Sequence, residues 1–194
     1  PAESLLAALV NVARVMRSGT AGARLLGAHV EGPYIDVERR GAQRAQDVRR
    51  ADPAEYRRWV ATGAVKLLAL APEYPENAAL IPQAVADGIV VSAGHTRASY
   101  EQICRAVDLG LSQVTHTFNG MEPLHHRAPG VVGAALTLDS LRCELIADNI
   151  HVHPAVLKLA ARAKGTDGIV LVTDAIRGVG LPDGTYEEGG NTIT

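Results

Sequence analysis

The chain has 194 residues, 47% of them hydrophobic, with 19 basic and 21 acidic side chains and a formal charge of −2. That length supports one sizeable core or a large part of a bigger one, and the near-neutral balance offers no basic field for nucleic acid. No apolar run is long enough to cross a membrane as a helix, and aromatic residues, 4% of the chain, argue against a base-stacking platform.

In chain order, the first helix is predicted from Leu5, Leu6, Leu9, Val12, Ala13 and Met16 at helical spacing. "ARLLGAHVEG" reads as a strand that ends at Glu31. The basic stretch "VERRGAQRAQDVRR" is expected to be a solvated loop or helix face. Asp52 as cap and Pro53 in the first turn open a helix over "ADPAEYRRWVATG". "AVKLLALAP" is the second strand, and "PENAALIPQAVADG" a helix closed by Gly88. "IVVSAG" is the third strand, followed by a helix through "ASYEQICRAVDLG" that ends at Gly110. "LSQVTH" is the fourth strand and "LRCELIAD" the fifth, with no helix predicted between them. A helix over "HPAVLKLAARAKG" and a sixth strand, "GIVLVTD", complete the series. The last stretch, "GLPDGTYEEGGNTIT", carries Asp-Gly and Gly-Gly pairs that suit hairpin turns, so an antiparallel segment is expected to begin there.

The strands are nearly continuous apolar runs, as parallel strands covered on both faces should be. Strand–helix alternation of this kind implies an α/β fold with a parallel sheet. Ionisable groups stand at the C-terminal ends of separate strands: Glu31, His95, His116, Asp148 with His151, and Asp174. That end carries the active site of a (β/α)8 barrel, and the crevice of an open sheet. Groups on nearly every strand end favour the barrel. The expectation is an incomplete TIM-like barrel of about six βα units over 1–177, with the start of a β-hairpin or β-sandwich segment over 178–194. The chain opens on a helix without Met and stops in a strand, so it is expected to be the middle of a larger protein. Cys104 and Cys143 lie in apolar stretches without metal or disulfide spacing, which favours a reducing, cytoplasmic setting.

Glu31, His95 and His116 form the candidate metal set: one carboxylate and two imidazoles leave a divalent ion such as zinc with an open position for water. Their spacings of 64 and 21 residues form no local motif, so their common placement at strand ends carries the argument. Taken singly, His95 in "SAGHT" could be a capping or core histidine, and Glu31 a turn residue before Gly-Pro. His29 shares Glu31's face by the period of two, as a partner of the ligands or as a packed barrel residue. Asp174 closes an apolar strand, where an acid needs a partner or a task; general acid–base chemistry is one, a helix cap another. His151 is placed to meet a polarised carbonyl or a sugar, and His153 to precede the helix that Pro154 starts. Asn119 and Gly120 begin a loop whose backbone can approach a small molecule. Arg127 suits bidentate recognition of a phosphate or carboxylate, with His125 and His126 either assisting or merely exposed.

At "GAHVEGPYI", "SAGHT", "THTFNGMEPLHHRAPGVVGAAL", "ELIADNIHVHP" and "LVTDA" the chain resembles the N-acetylglucosamine-6-phosphate deacetylases of the amidohydrolase superfamily, with the five blocks in family order. The resemblance implies a deformed (β/α)8 barrel with a small β-sandwich from both chain ends, a homodimer, and release of acetate from N-acetylglucosamine 6-phosphate. It assigns metal ligation to Glu31, His95 and His116, acid–base work to Asp174, and substrate contact with help in polarising the amide to His151. It gives substrate contacts to Asn119, Gly120 and Arg127, the arginine reaching the phosphate of the neighbouring site, and places Gln43 where a sugar-contacting residue stands. Zinc is the metal implied, in one or two ions, with iron, cobalt or manganese as alternatives. Gly120 replaces a common Ala, Ala128 a usual acidic residue and Asn149 a commoner Gly, and a first strand with a His-x-His pair is absent. A deaminase, a cyclic amidase or a non-catalytic phosphosugar-binding barrel are the rival readings.

Overall fold

The computed structural model describes residues 2–188 and 191–193. A helix, α1 (Ala2–Ser18), precedes five βα units and a final strand: β1 (Ala28–Glu31), α2 (Pro53–Val60), β2 (Val65–Leu70), α3 (Pro75–Ala86), β3 (Val90–Ala93), α4 (Tyr100–Asp108), β4 (Gln113–Val114), α5 (Gly130–Thr137), β5 (Arg142–Leu145), α6 (Pro154–Lys164) and β6 (Ile169–Leu171). The six strands form one sheet in sequence order, each parallel to the next. A short antiparallel pair follows, β7 (Tyr186–Glu188) and β8 (Asn191–Ile193). The predicted Gly-Gly turn at 189–190 lies outside the described residues.

The helix starts follow local chemistry. Asp52 accepts the Ala54 N–H before Pro53, and Ser99 with Gln102 forms a reciprocal capping box for α4. His153 caps α6 by accepting the Ala155 N–H, the structural role expected of it. Val30, Leu68, Leu70, Val91, Val114 and Cys143 from the strands meet Leu9, Trp59, Ile81, Ile103 and Val131 from the helices in one core. The helices therefore cover one face of the sheet. The other face carries Ser92, Gln113, Thr115 and Glu144, all buried and polar.

Two expectations needed correction. "GVVGAALT" is a helix, α5, in which Gly130 to Ala135 are all buried. Apolar on every side, it has no polar stripe and so no helical period to detect. Gly133 makes room for the start of the same helix: a Cβ there would lie 2.3 Å from Pro129 Cβ. The basic stretch after β1 is also not a plain solvated face. Its arginines pair with Glu122, Asp47 and Glu55, and Arg50 lies 3.2 Å above the Tyr74 ring. Two 3-10 turns, Val37–Arg39 and Ala45–Asp47, fold it over the strand ends.

Asn77 ties that loop down. Fully buried, it donates to Tyr34 O at 2.7 Å and Ala71 O at 2.9 Å, and accepts the Ala51 N–H at 2.8 Å. Asn77→Ala leaves Ala71 O and the Ala51 N–H without these partners and Tyr34 O with the Ala71 N–H alone, and is expected to cost about 3 kcal/mol. Urea unfolding measures this as a lower midpoint at unchanged slope; a loss below about 0.5 kcal/mol would contradict the assignment.

Candidate metal centre and substrate face

The residues after β3 and β4 build the centre. Along β3 and its extension, Ser92 and Gly94 face the polar side of the sheet: a Cβ on Gly94 would meet Thr115 Cβ at 3.0 Å, and Ser92 Oγ is 2.6 Å from Thr115 Oγ1. Strict alternation would send His95 and His116, one residue later, toward the helices. Instead both have left-handed backbones, φ +48 for His95 and +28 for His116, and their rings turn back toward Glu31. Flat neighbours at ~4.8 Å spacing would put β1 and β4 ~14 Å apart. Yet His116 Nε2 lies 3.0 Å from Glu31 Oε1, so the sheet curls.

The three donors converge. His95 Nε2 is 2.5 Å from Glu31 Oε1, and the two Nε2 atoms are 3.1 Å apart with their rings nearly perpendicular. His95 and His116 are 7% and 3% exposed. Burial alone would raise Glu31's carboxyl, but hydrogen bonds from both imidazoles and their charge outweigh it and hold the group well below the usual range. His116 is raised: burial opposes its charge, and the Glu31 carboxylate more than compensates.

The hydrogen-bond roles test whether these residues fit a cation. His95 Nδ1 is 2.6 Å from Arg39 O, and a carbonyl only accepts, so Nδ1 carries the proton. A neutral His95 then aims a bare Nε2 at a carboxylate oxygen and a second imidazole nitrogen. Three lone-pair atoms facing one another at this range repel unless a proton or a cation lies between them. Tetrahedral donors about 2.1 Å from zinc stand roughly 3.4 Å apart, close to the pairs seen here. One carboxylate with two imidazoles is a recognised set for a borderline-soft divalent ion. Among the described residues it is the one group of His, Cys and acidic side chains that could hold a metal.

The support around His95 is close. Its carbonyl accepts Asp36 N–H at 2.8 Å, and Thr96 N–H reaches Gly120 O at 3.1 Å. Gly120 has φ +61, and a Cβ there would stand 3.0 Å from His95 Nδ1; a Cβ on Gly41 would lie 3.3 Å from His95 Cε1. Gly120 thus lies against the ligand itself, a contact that sequence reasoning, which considered only its backbone, did not anticipate. Asn119 folds onto its neighbour, N–H and Nδ2 both donating to His116 O, at 2.9 and 3.3 Å.

The remaining expected residues share this end of the sheet without touching the triad. Asp174 follows β6 with a left-handed backbone, φ +50, and is exposed; its charge helps raise His116. Gln43 packs on Gly32, the residue after Glu31, whose Cβ would meet Gln43 Oε1. His29 is exposed rather than packed. Arg127, His125 and His126 are exposed on the loop before α5, and Arg127 N–H donates to His125 Nδ1 at 3.2 Å. Arg127 lines a cavity of about 420 Å³ with Arg97, Tyr100 and Glu122. A larger cavity of about 610 Å³ lies between α2 and α3 and contains none of the expected site residues.

With the geometry in place, the chain can be set beside known proteins. No family model matches it. It is 43% identical over 173 residues to the N-acetylglucosamine-6-phosphate deacetylase of Lysinibacillus sphaericus, covering 88% of this chain and 45% of that protein. It is a homologue of these deacetylases. It is also 37% identical over 195 residues to an N-acetylgalactosamine-6-phosphate deacetylase of Escherichia coli O157:H7, covering 100% of the chain and 52% of that protein. The solved structure of a Mycobacterium smegmatis N-acetyl-D-glucosamine-6-phosphate deacetylase variant, in complex with N-acetyl-D-glucosamine-6-phosphate, matches at TM-score 0.93 and 34% identity, over 99% of this chain and 50% of that one. The homologue thus spans about half the length of its curated relatives, and its six parallel strands are a half-barrel.

His151 sits apart from the triad in a loop of its own. Asp148 Oδ1 accepts the N–H groups of Ile150 and His151, each at 2.9 Å, and Oδ2 accepts His151 Nδ1–H at 2.6 Å. The His151 N–H, then its ring, then the Ile150 N–H pull the Asp148 carboxyl down to about 2. A carboxyl depressed on folding stabilises its loop above the unfolded value near 4 and loses that contribution as pH falls through about 2. The Asp148 carboxyl followed by carbon-detected NMR is therefore expected to titrate near 2, with the His151 amide shifting in step. A midpoint near 4 would show the loop unmade in solution.

Proposed function

We propose that this homologue provides the metal-binding half of a deacetylase acting on N-acetylglucosamine 6-phosphate in amino-sugar breakdown, with zinc as the metal. The observation that carries the reading is the convergence of Glu31, His95 and His116 at the carboxyl ends of parallel strands, in a chain about 40% identical to such deacetylases. A divalent cation there supplies Lewis acidity, which polarises an amide carbonyl and makes water a better nucleophile at neutral pH. Asp174 takes the proton from the attacking water and returns it to the departing amine; its solvent-facing position leaves room for both. His151 is held in one tautomer by Asp148, so Nε2 faces the substrate. From that position it contacts the amide carbonyl and helps to polarise it.

Arg127 makes no ion pair among the described residues, and its exposed guanidinium suits the phosphate of a neighbouring subunit's substrate in a homodimer. Asn119, Gly120 and Gln43 would line the sugar. A phosphorylated amino sugar as substrate supports a cytoplasmic setting.

Amine release from N-acetylglucosamine 6-phosphate, its unphosphorylated form and N-acetylgalactosamine 6-phosphate tests the substrate. Release from the first alone is expected; preference for the third would shift the reading to the epimer named in the Escherichia coli relative. Asp174→Asn is expected to lower turnover about 10²- to 10⁴-fold with zinc content unchanged, and near-normal turnover would remove it from the chemistry. Arg127→Ala is expected to raise KM for the phosphorylated sugar roughly tenfold or more, with a smaller effect on kcat. Undiminished selectivity for the phosphate would reassign that arginine.

A further inference from the structure

Glu144 lies on the polar face of β5, is 4% exposed, and none of the roles above uses it. A buried carboxylate is costly unless it is hydrogen-bonded or has a task. No arginine or lysine pairs with it among the described residues. Its contacts lead instead to the metal centre. One oxygen accepts from Gln113 Nε2, and Oε2 accepts the His116 backbone N–H at 3.3 Å.

The ladder between β4 and β5 explains why His116 needs that oxygen. Arg142 N–H donates to Ser112 O at 3.0 Å. Continued in the two-residue steps of parallel pairing, the series would give Glu144 O to the His116 N–H. Glu144 O is taken one residue later, by Thr117 N–H at 2.8 Å. The slip coincides with the left-handed turn at His116, φ +28, that swings its ring toward Glu31 and His95. His116 N–H has lost its ladder acceptor inside the protein, and the side chain of the same glutamate replaces it. Glu144 thereby holds two successive peptide N–H groups, one with its carbonyl and one with its carboxylate. Gln113, anchored on β4, fixes the carboxylate from the other side.

We propose that Glu144 is a positioning residue for the metal ligand His116, holding its backbone in the conformation that brings Nε2 to the metal. This rests on the metal-centre reading above. Groups of this kind, one step removed from the ion, typically change metal affinity 10- to 100-fold when altered.

The test is zinc affinity of the purified protein by competition with a chromophoric chelator, with visible absorption of the cobalt form as a reporter of ligand geometry. Glu144→Gln keeps one carbonyl oxygen, which can serve His116 or Gln113 but not both, and is expected to bind zinc about tenfold more weakly. Glu144→Leu keeps no acceptor and is expected to lose about a hundredfold, with displaced cobalt bands. Affinities within about threefold of the wild type for both variants would overturn the proposal. So would equal losses in the two, because the retained acceptor would then count for nothing. Should Glu144→Leu fail to fold, Glu144→Gln decides alone: about tenfold supports the role and threefold or less refutes it. A wild-type protein that binds no zinc would overturn the metal centre itself, a failure distinct from intact binding in both variants.

Discussion

Two histidines at the ends of neighbouring strands carry left-handed backbones, and the site depends on that pair of turns. With alternation unbroken, His95 and His116 would point into the apolar layer under the helices and Glu31 would stand alone. A left-handed non-glycine residue costs about 1–2 kcal/mol, and such strain persists only where the surroundings fix the conformation several times over. Here they do. His95 is held at its carbonyl by Asp36, at Nδ1 by Arg39 O, and against Gly41 and Gly120. His116 is held at its carbonyl by Asn119 and at its N–H by Glu144.

That over-determination gives the loop after β1 its purpose. Asp36 accepts from Tyr74, Glu38 N–H and Arg97, and Arg97 also reaches Glu38 at 2.7 Å. Asn77 binds the same loop to the end of β2. Through these contacts the chain segment that supplies Arg39 O is anchored at several points, so the proton on His95 Nδ1 is fixed and Nε2 faces inward. A tautomer set by a backbone carbonyl is less easily lost than one set by a mobile side chain. The result is a carboxylate oxygen and two imidazole nitrogens held within hydrogen-bond range of one another, where a shared proton or a cation holds them together.

Much of this was legible in the sequence, for a physical reason: strands and their polar ends are read from contiguous residues. Six apolar runs, their order and the ionisable residues after five of them could all be placed, and so could the cap at Asp52 and the structural place of His153 ahead of Pro154. What escaped depended on contacts distant in the chain. Helix α5 has no polar stripe because it is buried on every side. The basic loop looked solvated because its acidic partners Glu55 and Glu122 lie outside it, 6 and 83 residues from the arginines they meet. Glu144 was invisible as anything but a strand residue, since only the slipped ladder gives its carboxylate a role. The closeness of Gly120 to His95 likewise needs the two loops side by side.

The contrast in exposure across the candidate site follows from what each group must do. Metal ligands gain from rigidity, since each degree of freedom frozen before binding need not be frozen by it. His95 and His116 are accordingly buried, and of their ring nitrogens only His116 Nδ1 has no protein partner. Under the proposed function Asp174, His151 and Arg127 must be reachable by a polar sugar phosphate, and all three are exposed on loops that leave strand ends or helix starts. Asp174 and His151 nevertheless are not loose. Asp174 adopts the same left-handed turn as the two histidines, and His151 is anchored by two bonds to Asp148, through its N–H and its ring, while Asp148 also accepts the Ile150 N–H. One device, a left-handed residue just past a parallel strand, therefore recurs after β3, β4 and β6. After β3 and β4 it redirects an imidazole from the helix side to the open end of the sheet; after β6, where Val170 stands opposite Glu144, alternation already puts Asp174 on the polar face, and the turn sets its direction there.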